Sequence, residues 1–364
     1  MDDSILPPSA SKQTPSPSLK TVPSLSLVRM LVALSLLGVL IIGFYLLFSK
    51  NPEERASLYD GEITIGVVPW PGYLGFYVAR DKGFFEKRGL DVKIKSYETL
   101  SGLSDDYVKG LLQGRANLTL DAVTEALQGL DHKTILVVDY SSGADAIIAR
   151  EGIRSLKDLK GKRIAYNFGT LEEYFLSYAL ETIGLSIDEV VGVNAYAEAT
   201  EELLRDKAVD AAVVAEPFLG TYLKEGSYHT LISSKEARGL IADILTFRTD
   251  FIDRYPETVQ EIVAAYFDTL DWIEKNQDEA FRILALEFNQ SQEEVGGGQL
   301  LGLEIADRAL NEEAFRSGFH SLSLYLQMGD IIKFVHTHGA QDKIVREIES
   351  GDIIDSRFLS FPQK

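Results

Sequence analysis

Residues 63–95 read ITIGVVPWPGYLGFYVARDKGFFEKRGLDVKIK, and this stretch decides the fold class. Ile63, Ile65, Val67 and Val68 make a short β-branched run suited to a buried strand. Pro69 and Pro71 end it, because proline has no N–H to give to a ladder. The loop from Pro69 to Gly75 is stiff at its prolines and carries two large aromatics, Trp70 and Tyr73. Phe76 to Lys82 predicts a short helix, and Gly83 stands where a left-handed C-cap residue belongs. Leu90, Val92 and Ile94 alternate with Asp91, Lys93 and Lys95, the period of a strand with one wetter face. Strand, helix and strand in this order build a parallel α/β sheet. Ligands bind such sheets at the carboxyl ends of strands, where the Trp70/Tyr73 loop lies.

On the N-terminal side, residues 1–26 are rich in Ser and Pro and predict a disordered cytoplasmic tail. Met30 to Phe48 follows as 19 residues without a charge. At ~1.5 Å per residue it reaches ~28 Å, about the hydrocarbon thickness of a bilayer. The polar region before it is long, the apolar run exceeds a signal-peptide core, and no small-x-small site follows. An uncleaved transmembrane anchor over residues 27–49 is expected, followed by a linker at 50–61. Lys12, Lys20 and Arg29 precede the span while Lys50 and Arg55 follow it. That thin positive-inside bias puts the tail in the cytoplasm and the body outside, so the chain is expected to be single-pass in the cell (inner) membrane.

The chain has 364 residues, 45% of them hydrophobic, and no cysteine. Disulfides, thiolate metal sites, cysteine nucleophiles and a lipid-modified cysteine are excluded. The net charge is −19, and the charges of residues 1–61 cancel, so the imbalance lies entirely after Gly61. An acidic body repels phosphate backbones, and no nucleic-acid partner is expected.

Beyond Lys95 the alternation continues. Ser104 is expected to cap a helix whose first turn holds Asp105 and Asp106. Ala116 to Leu120 predicts a strand with Asp121 at its carboxyl end, and Thr134 to Tyr140 another, leading into Ser141 to Asp145. Arg163 to Asn167 predicts a strand, and Phe168-Gly169-Thr170 opens a helix with Thr170 and Glu173 spaced as a capping box. Val209 to Val214 predicts a strand that ends in Glu216-Pro217. Strand and helix alternate through residue 248, which reads as a second α/β lobe. From Pro256 the pattern turns helical: Val259, Ile262, Val263, Tyr266, Phe267 and Leu270 share one face. Further helices are expected near 278–288, 300–310 and 317–338. Gly296 to Gly298 lacks the strand and Gly-Lys-Ser/Thr of a phosphate loop, and His336 and His338 do not share a helix face. No nucleophile elbow exists, so neither an enzyme, a metal site nor a cofactor is expected.

Taken in series, GYLGFYVARDKGFFEKRGLDVKI, LLQGRANLTLDAVTEAL, SLKDLKGKRIAYNFGTLEEYFLSYALETIGL, VDAAVVAEPF and TDFIDRYPETV resemble the nitrate/sulfonate/taurine group of ABC-importer solute-binding proteins, a group that includes thiamine-pyrimidine-precursor binders. The resemblance implies a two-lobed periplasmic-binding-protein type II fold, here preceded by one transmembrane helix. It implies crossovers near Asp139 to Asp145 and Thr246 to Thr249. Lobe 1 would be residues 62–140 and 250–345, lobe 2 residues 141–249, with 346–364 packing on lobe 1. The partners implied are a small-molecule solute and the ABC permease and ATPase subunits. The alternative is an extracytoplasmic ligand-sensing receptor without a transport role.

Matching the family's cleft residue by residue implies Trp70, Tyr73, Asp121, Ser142, Asp145, Gly169, Thr170 and Glu216 as ligand-binding positions. Asp121 also suits capping of the following helix, Asp145 a turn at the crossover, and Glu216 an edge pairing with an arginine. Relatives that hold oxyanions use N–H groups at helix starts, available here near Gly169 and Thr170. Glu172 and Glu173 oppose that field, and three more carboxylates ring the cleft. Aromatic rings beside carboxylates favour an amine, an amidine-like heterocycle or a zwitterion. The expected solute is small and nitrogen-containing, with an aminosulfonate next.

Overall fold

The computed structural model describes residues 58–297 and 299–359. The expected tail, the anchor at 27–49 and most of the linker lie outside those residues. Among the described residues no helix is long and apolar enough to cross a membrane.

The opening stretch folds as β1 (Ile63–Val67), α1 (Leu74–Asp81) and β2 (Val92–Ser96), with β1 and β2 parallel. Ile63, Ile65 and Val67 are fully buried on one face of β1. On the other face Gly66 has no room for a side chain, because a Cβ there would overlap Leu103. Next come α2 (Leu100–Val108), β3 (Gly114–Leu118), α3 (Thr119–Leu127) and β4 (His132–Ser141). Thr99, not Ser104, caps α2, its side chain accepting from Gly102 N at 3.1 Å. Ser104 sits inside the helix and meets Arg115 Nη1 at 3.0 Å. The strand before Asp121 ends at Leu118, so Asp121 lies in the first turn of α3.

The chain then leaves for a second sheet: β5 (Asp145–Arg150), β6 (Arg163–Tyr166), α4 (Leu171–Glu181), β7 (Val191–Asn194), α5 (Ala197–Arg205), β8 (Ala211–Ala215), α6 (Phe218–Lys224) and β9 (Tyr228–Ser233). Its strand order is β7-β6-β8-β5-β9. Period-two burial gives this sheet two cores. Ile147 and Ala149 of β5 join Ala211 and Val213 of β8 on one face, while Ala146, Ile148, Ala212 and Val214 pack on the other.

The return differs from the sequence expectation. β10 (Ala242–Arg248) pairs antiparallel with both β3 and β4, so the first sheet runs β11-β4-β10-β3-β1-β2, β11 being Leu303–Ile305. The chain therefore re-enters the first lobe at Ala242, not near Thr246 to Thr249. The cause is burial: Ile244, Leu245 and Phe247 have no exposed surface and fill the first lobe's core. α7 (Thr249–Arg254), α8 (Pro256–Lys275), α9 (Gln277–Phe288), α10 (Gln292–Gly297), α11 (Arg308–Ala314) and α12 (Leu324–His338) then cover the first sheet. The expected helix near 300–310 is instead split, because Leu303–Ile305 pairs as a strand along β4. Beyond α12 the chain stays on this lobe: Arg346 donates to Ala126 O and Leu130 O, and Phe358 is buried in the core.

Two crossovers join the lobes, and a single side chain ties them. Ser234, at the end of β9, places its hydroxyl 2.7 Å from Ser141 Oγ and accepts from Gly143 N at 2.7 Å. A third segment braces the first crossover: Ser142 N and Ala144 N both donate to Gly302 O, at 2.8 and 3.1 Å.

Candidate functional site

Strand direction brings the candidate residues to one place. In the first lobe, β1 delivers Trp70 and Tyr73 beyond its carboxyl end, β3 delivers Asp121, and β4 ends in Asp139 to Ser141. In the second, β8 delivers Glu216, and Asp145 at the start of β5 pairs opposite Ala215. Glu216 N donates to Ala144 O at 2.8 Å, which sets Asp145 and Glu216 side by side. Trp70 and Glu216, from different lobes, line one crevice of about 300 Å³ together with Pro69, Pro71, Glu287, Phe288 and Gln290. That volume suits a small solute. Glu287 is held by Arg80 at 2.8 Å.

Behind Trp70 lies a buried acidic pair. Asp139 of β4 and Asp243 of β10 are register partners on adjacent strands. Asp139 has no exposed surface and Asp243 only 5%. Like charges directly opposite in a sheet repel, and burial removes the water that would screen them. Burial and the neighbouring Asp145 push the Asp243 carboxyl up to about 7, against the hydrogen bond from Tyr73. Burial and the facing Asp243 push Asp139 well above the usual carboxylate range. Tyr73 OH donates to Asp243 Oδ1. The Asp139 oxygens and the nearby Tyr266 OH make no hydrogen bond of normal length, and the Trp70 Nε1–H, also without one, lies close enough to Asp139 to lower its carboxyl a little. Each such buried group costs about 1–3 kcal/mol.

Close backbone packing makes this possible. A Cβ on Gly72 would overlap Asp139 Oδ2 and lie 2.8 Å from Trp70 Nε1, so only glycine fits and the two orphaned groups flank it. Around the pair, Asp145 is pushed up to about 6 by burial and by Glu172 and Glu216, despite its bond with Ser141. Burial raises Asp121 as well, with Arg115 opposing. Arg115 itself is spoken for: it donates to Glu125 and lies 4.4 Å over the Tyr107 ring. The helix start at Gly169 and Thr170 is also engaged. Gly169 N donates to Glu173 Oε2 at 2.6 Å, and the single Thr170 hydroxyl proton is shared between Asn167 O, at 2.8 Å, and Glu172. Thr170 makes no side-chain cap, so the expected capping box is replaced by Glu173 reaching one residue further back.

The structure thus gathers Trp70, Tyr73, Asp121, Asp145 and Glu216 around one region, and puts Ser142 in the braced crossover. Gly169 and Thr170 stand at the start of α4, with the Gly169 amide and the Thr170 hydroxyl already bonded. Sequence reasoning missed Asp139, Asp243 and Tyr266 as site residues. The signal was there: TILVVDY and ADILTF each hold one acid in an apolar strand, where an unpaired carboxylate is out of place. Tyr140, at the end of β4, turns into the first core and donates to Leu322 O at 3.2 Å.

A family model described as NMT1/THI5 like matches residues 70–280, more than half of the chain. The chain belongs to that family, within the nitrate/sulfonate/taurine group of binding proteins. Among its relatives, a binding protein of Brucella abortus is 27% identical over 234 residues, covering 59% of this chain and 69% of the relative. The taurine-binding periplasmic protein of Escherichia coli is 25% identical over 190 residues, covering 52% and 59%. Among solved structures, the periplasmic aliphatic sulphonate binding protein SsuA of Escherichia coli superposes with a TM-score of 0.66 at 14% identity, covering 80% of this chain and 97% of that one. The fold is that of a two-lobed periplasmic binding protein.

Proposed function

We propose that this chain is the solute-binding subunit of an ABC importer, with residues 62–359 outside the cell and residues 27–49 tethering it to the membrane. It takes a small nitrogen-containing or aminosulfonate-type solute into the crevice between its lobes and presents it to a permease and its ATPase. The crevice shared by Trp70 and Glu216 across the lobe boundary is the observation that carries this reading. Two crossovers tied at Ser234 supply the hinge on which such lobes close. The buried acids and phenols beside the crevice, Asp139, Asp145, Asp243, Tyr73 and Tyr266, support capture of a solute that offers hydrogen-bond donors.

A tether confines the receptor near its permease and raises the effective concentration of the pair. The test uses the full-length chain in detergent, screened against small amines, aminosulfonates, sulfonates and nitrate by thermal shift. A ligand at about 100 times its Kd stabilises a fold by about 2.7 kcal/mol, a readily seen shift. A panel in which no small solute moves the melting temperature sinks the reading.

A further inference from the structure

Asp139, Tyr266 and Trp70 come from β4, α8 and the loop after β1, and each presents a buried polar atom with no partner. Tyr266 has no exposed surface and sits close enough to Asp139 to feel its charge. Trp70 belongs both to this set and to the crevice wall, so its indole joins the open crevice to the buried pair. The Asp139 oxygens and the Tyr266 hydroxyl can accept hydrogen bonds, and a guest bearing N–H donors supplies them.

We propose, resting on the solute-binding reading above, that the Asp139–Asp243 pair with Tyr266 is a head-group site, entered past Trp70, for an organic cation bearing N–H donors, an ammonium or amidinium, and that each cation bound expels one proton from the pair. The balance is simple. Above about pH 7, where Asp243 has ionised, the solute-free pair shares one proton and carries one negative charge. The cation arrives, the shared O–H ionises, its proton leaves to bulk water, and two carboxylates then face the cation's N–H groups. Asp243 receives the Tyr73 hydroxyl and is the member that ionises first; Asp139, which only the Trp70 indole N–H opposes, holds the proton.

The surroundings favour a cation over an anion. Asp145 faces both members of the pair, and Asp121 faces Asp243. Glu172 and Glu216 lie behind Asp145, and Glu172 also behind Asp121. The nearest cation acting on these groups is Arg115, which reaches Asp121 and is itself bonded to Glu125. Trp70 and Phe288 on the crevice wall offer ring faces to the rest of such a ligand.

The test is isothermal calorimetry on the full-length chain in detergent at pH 8, in two buffers of different ionisation enthalpy. The probes are benzylamine, benzamidine, agmatine and choline, with benzyl alcohol, benzenesulfonate, taurine, KCl and CaCl2 beside them. The expected result is binding by N–H cations, about one proton released per ligand, and choline at least ten-fold weaker. Asp139→Asn, an isosteric change that removes repulsion, abolishes the proton release and weakens the cations at least ten-fold. Tyr266→Phe folds with its ring in place and weakens them less. Binding by neutral or anionic probes alone overturns the cation site and leaves the solute-binding reading standing. Binding by KCl or CaCl2 alone, or cation binding without proton release, also overturns it. Silence from every probe here and from every solute in the thermal-shift panel overturns both.

Discussion

The Ser234 hydroxyl lies 2.7 Å from Ser141 Oγ and 2.7 Å from Gly143 N, so one side chain from the second crossover holds the first. Ser234 is almost fully buried, at 1% exposure. Removing its hydroxyl leaves buried partners unmatched at the point where the lobes turn. Ser234→Ala is expected to cost about 1–3 kcal/mol of unfolding free energy, read by urea denaturation. Small-angle scattering should show a wider average opening of the ligand-free chain. An unchanged midpoint and unchanged scattering would remove Ser234 from the hinge.

Gly72 is expected to tolerate no substitution. Alanine there pushes the Asp139 carboxyl away from its seat beside Trp70. Gly72→Ala should lower stability by about 1–3 kcal/mol through overpacking. Solute affinity should fall with it. Retained affinity with lowered stability would show that Asp139 does not meet the solute.

The buried acids set a pH dependence whose sign is unusual. Asp145 is pushed up to about 6 and Asp243 to about 7, against about 3.9 in an unfolded chain. The folded state therefore holds protons that the unfolded state has lost. The stability these groups contribute is full below about pH 4 and is lost as pH rises through 6 to 7. His132 opposes this at lower pH: burial drives it down to about 3, so unfolding takes up a proton below about 6.5. Between pH 6.5 and 8 the acids act alone. The ligand-free chain is expected to melt at a lower temperature at pH 8 than at 6.5, with a slope up to about 1.4 kcal/mol per pH unit for each linked proton. Asp243→Asn should flatten that limb. His132→Gln should relieve the loss between pH 6.5 and 4 instead.

Trp70 and Glu216 should separate by role. Trp70→Ala removes a crevice wall and is expected to weaken the bound solute roughly 10-fold, with Trp70→Phe losing less. Glu216→Gln keeps the shape, and Gly220 N still finds the side-chain oxygen that now accepts it at 3.2 Å. A drop in affinity for cationic solutes without a change in melting temperature is expected. Titration calorimetry and a thermal melt on the same samples check both.

Much of the fold was legible because periodicity and punctuation are local. Ile63, Ile65 and Val67 announced β1, and Gly83 takes the positive φ expected of a C-cap, at 67°. Pro256 opens α8 as its position suggested. The return point was not legible, because ADILTFR reads as a buried strand whichever sheet receives it. Only pairing with β3 and β4 decides that. The deeper half of the site was hidden for the same reason. Asp139 and Asp243 are about a hundred residues apart, and each alone looks like a polar residue near a strand end. Their cross-strand register, which no local pattern encodes, makes them a pair.

The start of α4 carries its own competitor. Glu173 already occupies the Gly169 amide, and Glu172 holds the Thr170 hydroxyl. Both carboxylates are covalently attached a few residues away, so their local concentration far exceeds that of any dissolved sulfonate. An oxyanion entering from solution would have to evict a rival that can never diffuse off. Two of the groups that could welcome an anion at this helix end are thereby taken from within, and discrimination against such guests is written into residues that need never touch the chosen one.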